Sequence, residues 1–304
     1  MYSIIKIKEK VLKQDEIIPM TFDPMFTEIF NNKKNIDLLE EFISYYMEIP
    51  IDFVKGNLIL LSRNLKKKNL KSSKKEVDLL LDLNGKKYNI EVSNKWNQGI
   101  IDRNILYLSN IHGEQLKSGF ADYNEINESI QINLNNFDSE EDIKTSYYFT
   151  NDKGKILSKK CRIDVINLEK GTKMSYTDDE RTNRLIDWCK VFTSTTEEEL
   201  MSCAKRVLSN NSASKLVSEV KRLSGDDEMI DVFDMNNKRD LELKCIYDEI
   251  YENKLQERLK QAEEKIEKEN KLKIAKNLLD LNMSINDISR VTGLTKEEIE
   301  KLGT

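Results

Sequence analysis

Apolar and polar residues alternate along residues 76–95, and this alternation predicts a β-hairpin. Asn84 and Gly85 lie at its centre and predict a type I′ turn. This turn requires positive φ at both central residues, and Asn-Gly accepts that geometry. A two-residue loop here pairs residues whose numbers sum to 169. One face of the hairpin then carries a run of apolar side chains from both strands, those of Val77, Leu79, Leu81, Leu83, Tyr88, Ile90 and Val92.

The same register places two carboxylates opposite each other on the second face of the hairpin. Asp78 pairs with Glu91, and directly opposed residues have Cβ atoms roughly 5 Å apart. This pairing is repulsive unless a cation lies between the two acids, and a divalent metal ion is one such cation. Solvent screening on an exposed sheet face is the alternative explanation, and the pattern alone leaves both open.

The patterns around the hairpin predict an α/β (α+β) core with a mixed central sheet. Asp23 and Pro24 begin a helix in which Asp23 is the predicted N-cap, and a second helix ends near Pro50. A helix at about 98–117 follows the hairpin, and strands are predicted at 130–134 and on both sides of a turn at 151–154. The predicted core stripe of the helix after the hairpin consists of Ile101, Ile105, Leu108 and Leu116. Trp96 and Trp188 are predicted to be packing residues.

The patterns also divide the chain into five segments. An N-terminal extension covers 1–19, and the α/β domain covers 20–170. The remainder is predicted to be all-α, with short helices in 171–230 and one long charged helix in 231–281, a candidate coiled coil for homo-oligomerisation. Residues 282–304 are typical of a small helix-turn-helix, for which DNA contact and a packing or oligomerisation role are alternatives.

Ser284 and Thr295 are the predicted N-caps of the two C-terminal helices, and Gly293 lies in the turn between them. A lysine-rich run at 66–75 is either a solvated loop or a loop that contacts phosphate.

Composition excludes several classes of protein. No apolar run approaches the roughly 20 residues that span a bilayer, and the N-terminal residues lack the pattern of a signal peptide. Four cysteines without CxxC spacing and a single histidine argue against a Cys/His zinc site. These features predict a reduced, cytoplasmic protein without membrane contact. The net charge of −5 neither predicts nor excludes nucleic-acid binding, because local patches matter more than the sum.

A metal ion between Asp78 and Glu91 would have oxygen ligands, which suit a hard cation such as Mg²⁺ or Mn²⁺. Such an ion can activate water and stabilise the charge that develops in phosphodiester cleavage. Ser93 and Lys95 have the same parity as Glu91, so both would face the same cleft if the strand continued to Lys95.

Several blocks, in this order along the chain, together resemble the Rpn-type recombination-promoting nucleases, a transposase-like family of the PD-(D/E)XK nuclease superfamily. The blocks are Asp23-x-x-Phe26-x-x-Ile29-Phe30, the hairpin from Asp78 through NGKKYNIE to Glu91, the helix with Arg103, Tyr107 and EQLKxG at 114–119, the strand Ile130–Leu134, and the C-terminal ISRVTGLTKEEIEKL.

The resemblance implies a restriction-endonuclease-like core and a metal-dependent DNA endonuclease. It implies that Asp78 and Glu91 hold Mg²⁺ or Mn²⁺, with the Val92 carbonyl as a third protein ligand. It also implies that the helix after the hairpin lines a DNA cleft, with Arg103 toward phosphate. The residues that would contact nucleic acid are Arg103, Tyr107 and Gln115.

The chain departs from the family pattern at two polar positions. Ser93 stands where the family has glutamine and the wider superfamily has lysine, and Thr27 stands where the opening motif has lysine. Ser93 is too short and neutral to orient water or stabilise charge as lysine does, so Lys95 is a hypothetical substitute in the catalytic set Asp78, Glu91, Ser93 and Lys95. The alternative is a catalytically degenerate nuclease-fold protein that binds nucleic acid or a protein partner.

Overall fold

The computed structural model describes residues 15–63, 76–115 and 122–302. The chain forms two compact units, Met1–Asp234 and Met235–Thr304. The predicted lysine-rich run and Leu116 lie outside the described residues, so their predictions have no structural counterpart. None of the helices within the described ranges has the length and apolarity needed to cross a bilayer.

A mixed six-stranded sheet forms the centre of the first unit, which confirms the predicted fold class. Its order is β1-β2-β3-β4-β6-β5. Strands β3, β4 and β6 are parallel neighbours, and the remaining pairs are antiparallel. The strands are β1 Leu58–Leu60, β2 Leu79–Leu83, β3 Lys86–Ser93, β4 Ser129–Asn135, β5 Lys144–Thr150 and β6 Ile156–Asn167.

The central hairpin has the predicted register and turn. Leu79 pairs with Ile90, and Asn84 and Gly85 both have positive φ, at 52° and 85°. The ladder begins at Leu79, however, so the two preceding residues lie outside it. Val77 therefore packs with Leu80 and Ile111 on the second face of the sheet, and its predicted place on the first face was wrong.

Eleven α-helices accompany the sheet within the described residues. They are α1 Asp23–Phe30, α2 Ile36–Met47, α3 Ile51–Asn57, α4 Ile100–Gly113, α5 Leu168–Lys173, α6 Glu180–Thr193, α7 Glu197–Val207, α8 Asn210–Ser224, α9 Asp227–Asp280, α10 Ile285–Thr292 and α11 Lys296–Glu300. The N-cap of α1 is Phe22, and Asp23 is already helical, so the predicted cap was wrong by one residue.

Aromatic side chains from several helices fill the core on the first face of the sheet. Trp188 of α6 is buried and meets Phe42 of α2 edge-on, with ring centroids 4.9 Å apart. Phe192 of α6 contacts Phe26 of α1 in the same core. This core therefore extends across residue 170, where the sequence suggested a domain boundary. Trp96, the other predicted packing residue, is 63% exposed.

Helix α4 covers the second face of the sheet with a different stripe from the predicted one. Leu108 is buried as predicted, but Ile101 and Ile105 are exposed. Asn104 occupies the buried stripe instead, because the sheet beneath α4 is polar. The buried polar residues of β3 and β4 on that sheet face are Asn89, Glu91, Ser93, Ser129, Gln131, Asn133 and Asn135.

The second unit has a small core of its own, built from the end of α9 and from α10 and α11. Ser284 caps α10 and Thr295 caps α11 through a complete capping box, and Gly293 turns the chain with φ of 73°, as predicted. The buried apolar residues of this core are Ala275, Ile288, Leu294 and Ile299.

Candidate active site

Asp78 and Glu91 meet where β2 begins and β3 approaches its end. The backbone N–H of Val92 donates to Asp78 Oδ2 at 2.9 Å, and the backbone N–H of Asp78 donates to Glu91 Oε1 at 3.2 Å. Each carboxylate is therefore held by a backbone amide of the segment that carries the other. This reciprocal pair of bonds, here called the clasp, fixes both acids on one side of the sheet.

Burial distinguishes this pair from two solvated acids. Glu91 is only 4% exposed, so of the two alternatives, solvent screening on an exposed sheet face does not apply to it. Burial, and then the negative charge of Asp78, raise the pKa of Glu91 well above its ordinary value. Burial also raises the pKa of Asp78, although the Val92 amide and nearby Arg63 and Arg103 oppose that rise. The pair therefore favours a shared proton or a shared cation.

A network of buried side-chain amides holds the Glu91 carboxylate in place. Asn89 Nδ2 donates to Glu91 Oε1 at 3.0 Å and to Gln131 Oε1 at 2.7 Å. Gln131 Nε2 in turn donates to Asn133 Oδ1 at 2.9 Å. Because these residues are buried between the sheet and α4, the network restrains the position of the Glu91 carboxylate.

Asp23 is a third acid of this region that the site prediction missed. The residue is exposed, yet partial desolvation by the surrounding protein and the negative charge of Asp78 raise its pKa to about 6. Arg103 partly opposes this rise. The sequence signal is that Asp23 opens the first family-like block, for which the prediction gives a helix start and a resemblance but no role in the site.

Two predicted nucleic-acid contacts lie beside the acids. Arg103 Nη2 donates to Ser93 Oγ at 3.1 Å, and its positive charge opposes the raised pKa values of Asp78 and Glu91. Burial and the charge of Glu91 raise the pKa of Tyr107, one turn further along α4. Arg103 therefore places a positive charge beside Ser93, which is itself neutral.

The structure does not bring Lys95 and Gln115 into this group in the way that the sequence suggested. Strand β3 ends at Ser93, so strand alternation no longer places exposed Lys95 on the side of Glu91. Gln115 follows the C-terminal end of α4, whereas Arg103 lies near its N-terminal end. Its amide bonds both N–H and C=O of Asn127 and donates to Ser129 Oγ, which is a structural role.

The chemistry of the two acids fits a hard divalent cation. Among the described residues, the hydrogen bonds to the two acids engage Asp78 Oδ2 and Glu91 Oε1, and none engages Asp78 Oδ1 or Glu91 Oε2. Across 15–63, 76–115 and 122–302, no group of three or more His, Cys, Asp or Glu forms a complete metal cluster. An ion here would therefore need further oxygen ligands from backbone, water or substrate.

Comparison with protein families gives two matches. Residues 20–249 match the family described as PD-(D/E)XK nuclease family transposase, and residues 268–304 match the Rpn/YhgA-like nuclease family C-terminal HTH domain. No curated protein and no solved structure matches the chain. The first family match covers more than half of the chain and includes both acids of the clasp. The chain therefore belongs to the PD-(D/E)XK nuclease family transposases, with an Rpn-type helix-turn-helix domain at its C-terminal end.

Proposed function

We propose that the protein is a DNA endonuclease that depends on Mg²⁺ or Mn²⁺. One observation supports this most strongly: Asp78 and Glu91 are juxtaposed and desolvated in a chain of a nuclease family, and no described residue bonds the second carboxylate oxygen of either acid. An isolated pair of buried carboxylates is costly without a cation. Divalent ions are the general cofactor of this superfamily, and oxygen ligands favour the hard ones.

Each side chain has a distinct role in this proposal. Asp78 and Glu91 hold the ion, with the Val92 carbonyl as a third ligand, and a bound divalent ion supplies Lewis-acid stabilisation and a more acidic water. Asn89 fixes the Glu91 carboxylate through its hydrogen bond. Asp23 adds a carboxylate at the edge of the site, where its pKa of about 6 makes it a proton acceptor near neutral pH.

Arg103 is assigned the cationic role that lysine has in the wider superfamily. Ser93 cannot supply charge, and the Arg103 guanidinium is bonded to Ser93 Oγ. Arginine binds phosphate oxygens in a fixed geometry, so Arg103 would hold the scissile phosphate with Tyr107 beside it. The second candidate function is binding of nucleic acid or of a protein partner without cleavage. It is favoured by Ser93, which stands where the family has glutamine and the wider superfamily has lysine.

Plasmid nicking separates the two functions. Wild-type protein is expected to nick supercoiled DNA with Mg²⁺ or Mn²⁺ and to leave it intact with EDTA. Asp78→Ala should lose this activity, because one of two protein carboxylates is gone. Wild-type protein that shows no metal-dependent nicking, or Asp78→Ala that nicks as well as wild type, would exclude the enzyme proposal. A Mn²⁺ titration by calorimetry then distinguishes a slow enzyme from a site that binds no metal.

Substitution of the two candidate cations tests which one serves the reaction. Arg103→Gln is expected to lower the nicking rate by about 100-fold, the scale of losing one preorganised charge donor. Lys95→Ala should change the rate by less than about threefold, because Lys95 lies past the end of β3. Rates are measured at saturating Mn²⁺, with Lys205→Ala, an exposed residue of α7, as the control. The reverse order of effects would assign the role to Lys95.

The C-terminal region supports DNA binding and self-association in this proposal. The HTH match provides a DNA-binding module. On α9, exposed Leu255, Leu259 and Ile266 follow the spacing of a coiled-coil seam. The proposed homo-oligomer would use this stripe, and a monomeric mass in solution would exclude it.

A further inference from the structure

The tip of the β5–β6 hairpin, residues 148–161 and here called the arm, extends beyond the rest of the sheet. Pairing between β4 and β6 begins at Ser129 and Cys161, so the arm before Cys161 has no strand beside it other than β5. Every residue from Phe149 to Lys160 is exposed. The arm is therefore a two-stranded ribbon with both faces open to solvent.

The arm has a defined shape. Asn151 Oδ1 accepts from the backbone N–H groups of Lys153 and Lys155 at 3.0 and 2.9 Å, and Gly154 turns the chain with φ of 77°. After the pair Tyr148 and Arg162, the register shifts and Phe149 pairs with Ser158. This shift leaves Lys159 and Lys160 in a bulge, and bulges re-aim side chains.

The charge of the arm contrasts with that of the whole chain. It carries four lysines, Lys153, Lys155, Lys159 and Lys160, but only one acid, Asp152, in a protein of net charge −5. Among the described residues, none of these lysines forms an ion pair with a carboxylate. Exposed Phe149 and Leu157, the latter 84% exposed, lie between them. The arm therefore presents uncompensated positive charge together with exposed apolar side chains.

Helix α4 connects the arm to the candidate active site. Arg103 lies at the site, and His112 lies nine residues further along α4, roughly 14 Å away at the helical rise. His112 Nδ1 lies 3.0 Å from Ser129 Oγ, and Ser129 pairs with Cys161 at the base of the arm, so this end of α4 lies next to the arm. One turn of B-DNA spans about 34 Å, so one duplex is long enough to reach both Arg103 and the arm.

We infer that the arm is a second DNA-binding element, whose lysines contact the phosphate backbone of the duplex bound at the candidate active site. The inference rests on the proposed function for the identity of the ligand. The geometry and charge of the arm support nucleic-acid binding without the proposed function. A two-stranded ribbon fits the major groove of DNA, and lysines bind phosphate. An acidic protein surface is the competing partner for a basic ribbon.

A binding experiment with a matched charge control tests this inference. The full chain is titrated into a fluorescent DNA duplex in EDTA, where no cleavage occurs, at several salt concentrations. The arm variant carries Lys153→Gln, Lys155→Gln, Lys159→Gln and Lys160→Gln. The control variant makes the same charge change at exposed lysines of other elements, Lys33→Gln, Lys34→Gln, Lys55→Gln and Lys205→Gln.

The arm variant should bind DNA at least tenfold more weakly at low salt. The slope of log K against log salt should become shallower by about 0.9 for each phosphate that a substituted lysine no longer neutralises. The control variant should remain within about twofold of wild type. Equal losses of affinity in both variants, or wild-type binding by the arm variant, would overturn the inference. Because binding is measured without metal, this result and the nicking result are independent.

A second measurement needs no substitution and covers the case in which the arm variant does not fold. Wild-type protein is acetylated with and without the DNA duplex, and modified lysines are quantified by mass spectrometry. Lys153, Lys155, Lys159 and Lys160 should be protected by DNA relative to Lys33 and Lys34. Absence of protection would overturn the inference. Equal protection by polyglutamate at matched charge would also overturn it, in favour of an acidic protein partner.

Discussion

Glu91→Gln is expected to abolish metal-dependent cleavage and yet to stabilise the metal-free protein. Glutamine keeps an acceptor oxygen for the Asp78 and Asn89 N–H groups but removes the charge that burial and Asp78 both disfavour. Loss of a ligand carboxylate should lower the nicking rate by at least about 100-fold. Relief of the buried charge should raise the melting temperature, by roughly 2–4 °C for each kcal/mol gained.

Thermal unfolding in EDTA and plasmid nicking in Mn²⁺ measure the two effects on the same preparations. Glu128→Gln is the control, because Glu128 forms a partly exposed ion pair with Lys86 at 3.1 Å. Exposed ion pairs contribute about 0–1 kcal/mol, so this control should change neither property much. A lower melting temperature for Glu91→Gln would contradict the assignment of Glu91 as a destabilised charge.

The metal-free protein should lose stability as pH rises from about 5 toward 8, and its Mn²⁺ affinity should increase over the same range. The folded state raises the pKa of Glu91 from 4.5 and that of Asp23 to about 6, so folded protein binds protons that unfolded protein releases. The protonated carboxyl groups give their full stabilisation at pH values below the pKa values of the unfolded chain. This stabilisation is lost as pH rises through the pKa values of the folded protein. Metal binding displaces the proton on Glu91, so affinity rises by up to tenfold per pH unit.

Calorimetric Mn²⁺ titrations at about pH 6, 7 and 8, paired with metal-free melts at each pH, check both halves of this prediction. Glu91→Gln should flatten most of the pH dependence of stability. Saturating Mn²⁺ should restore the stability that wild type loses at high pH. Affinity that does not change with pH would mean that the ion, if bound, lies away from Glu91.

Local chemistry made the hairpin predictable. The Asn-Gly turn and the alternation fix the register from Leu79 to Leu83. Asp78 lies just outside this ladder, and backbone amides hold it beside Glu91. The raised pKa of Asp23 was not predictable in this way. It depends on how α1 packs near Asp78, which lies more than fifty residues later in the chain. Only the order of family-like blocks pointed to it.

The prediction for α4 failed for a physical reason. Sequence periodicity assigns the most apolar stripe to the core, but the sheet beneath α4 carries Asn89, Gln131 and Asn133. Asn104 therefore faces the sheet and Ile101 faces solvent, the reverse of the usual pattern. Lys95 shows a similar limit, since parity applies only while a strand continues, and β3 stops at Ser93.

The clasp between Asp78 and Glu91 also bears on how readily substitution would remove this site. Many single substitutions of either acid would remove a buried like-charge repulsion, so drift without selection for the site would favour their loss. Both acids are present, together with the amides that hold them. The two acids are therefore a cost to the metal-free fold, and in the proposed endonuclease the binding of a divalent ion offsets that cost.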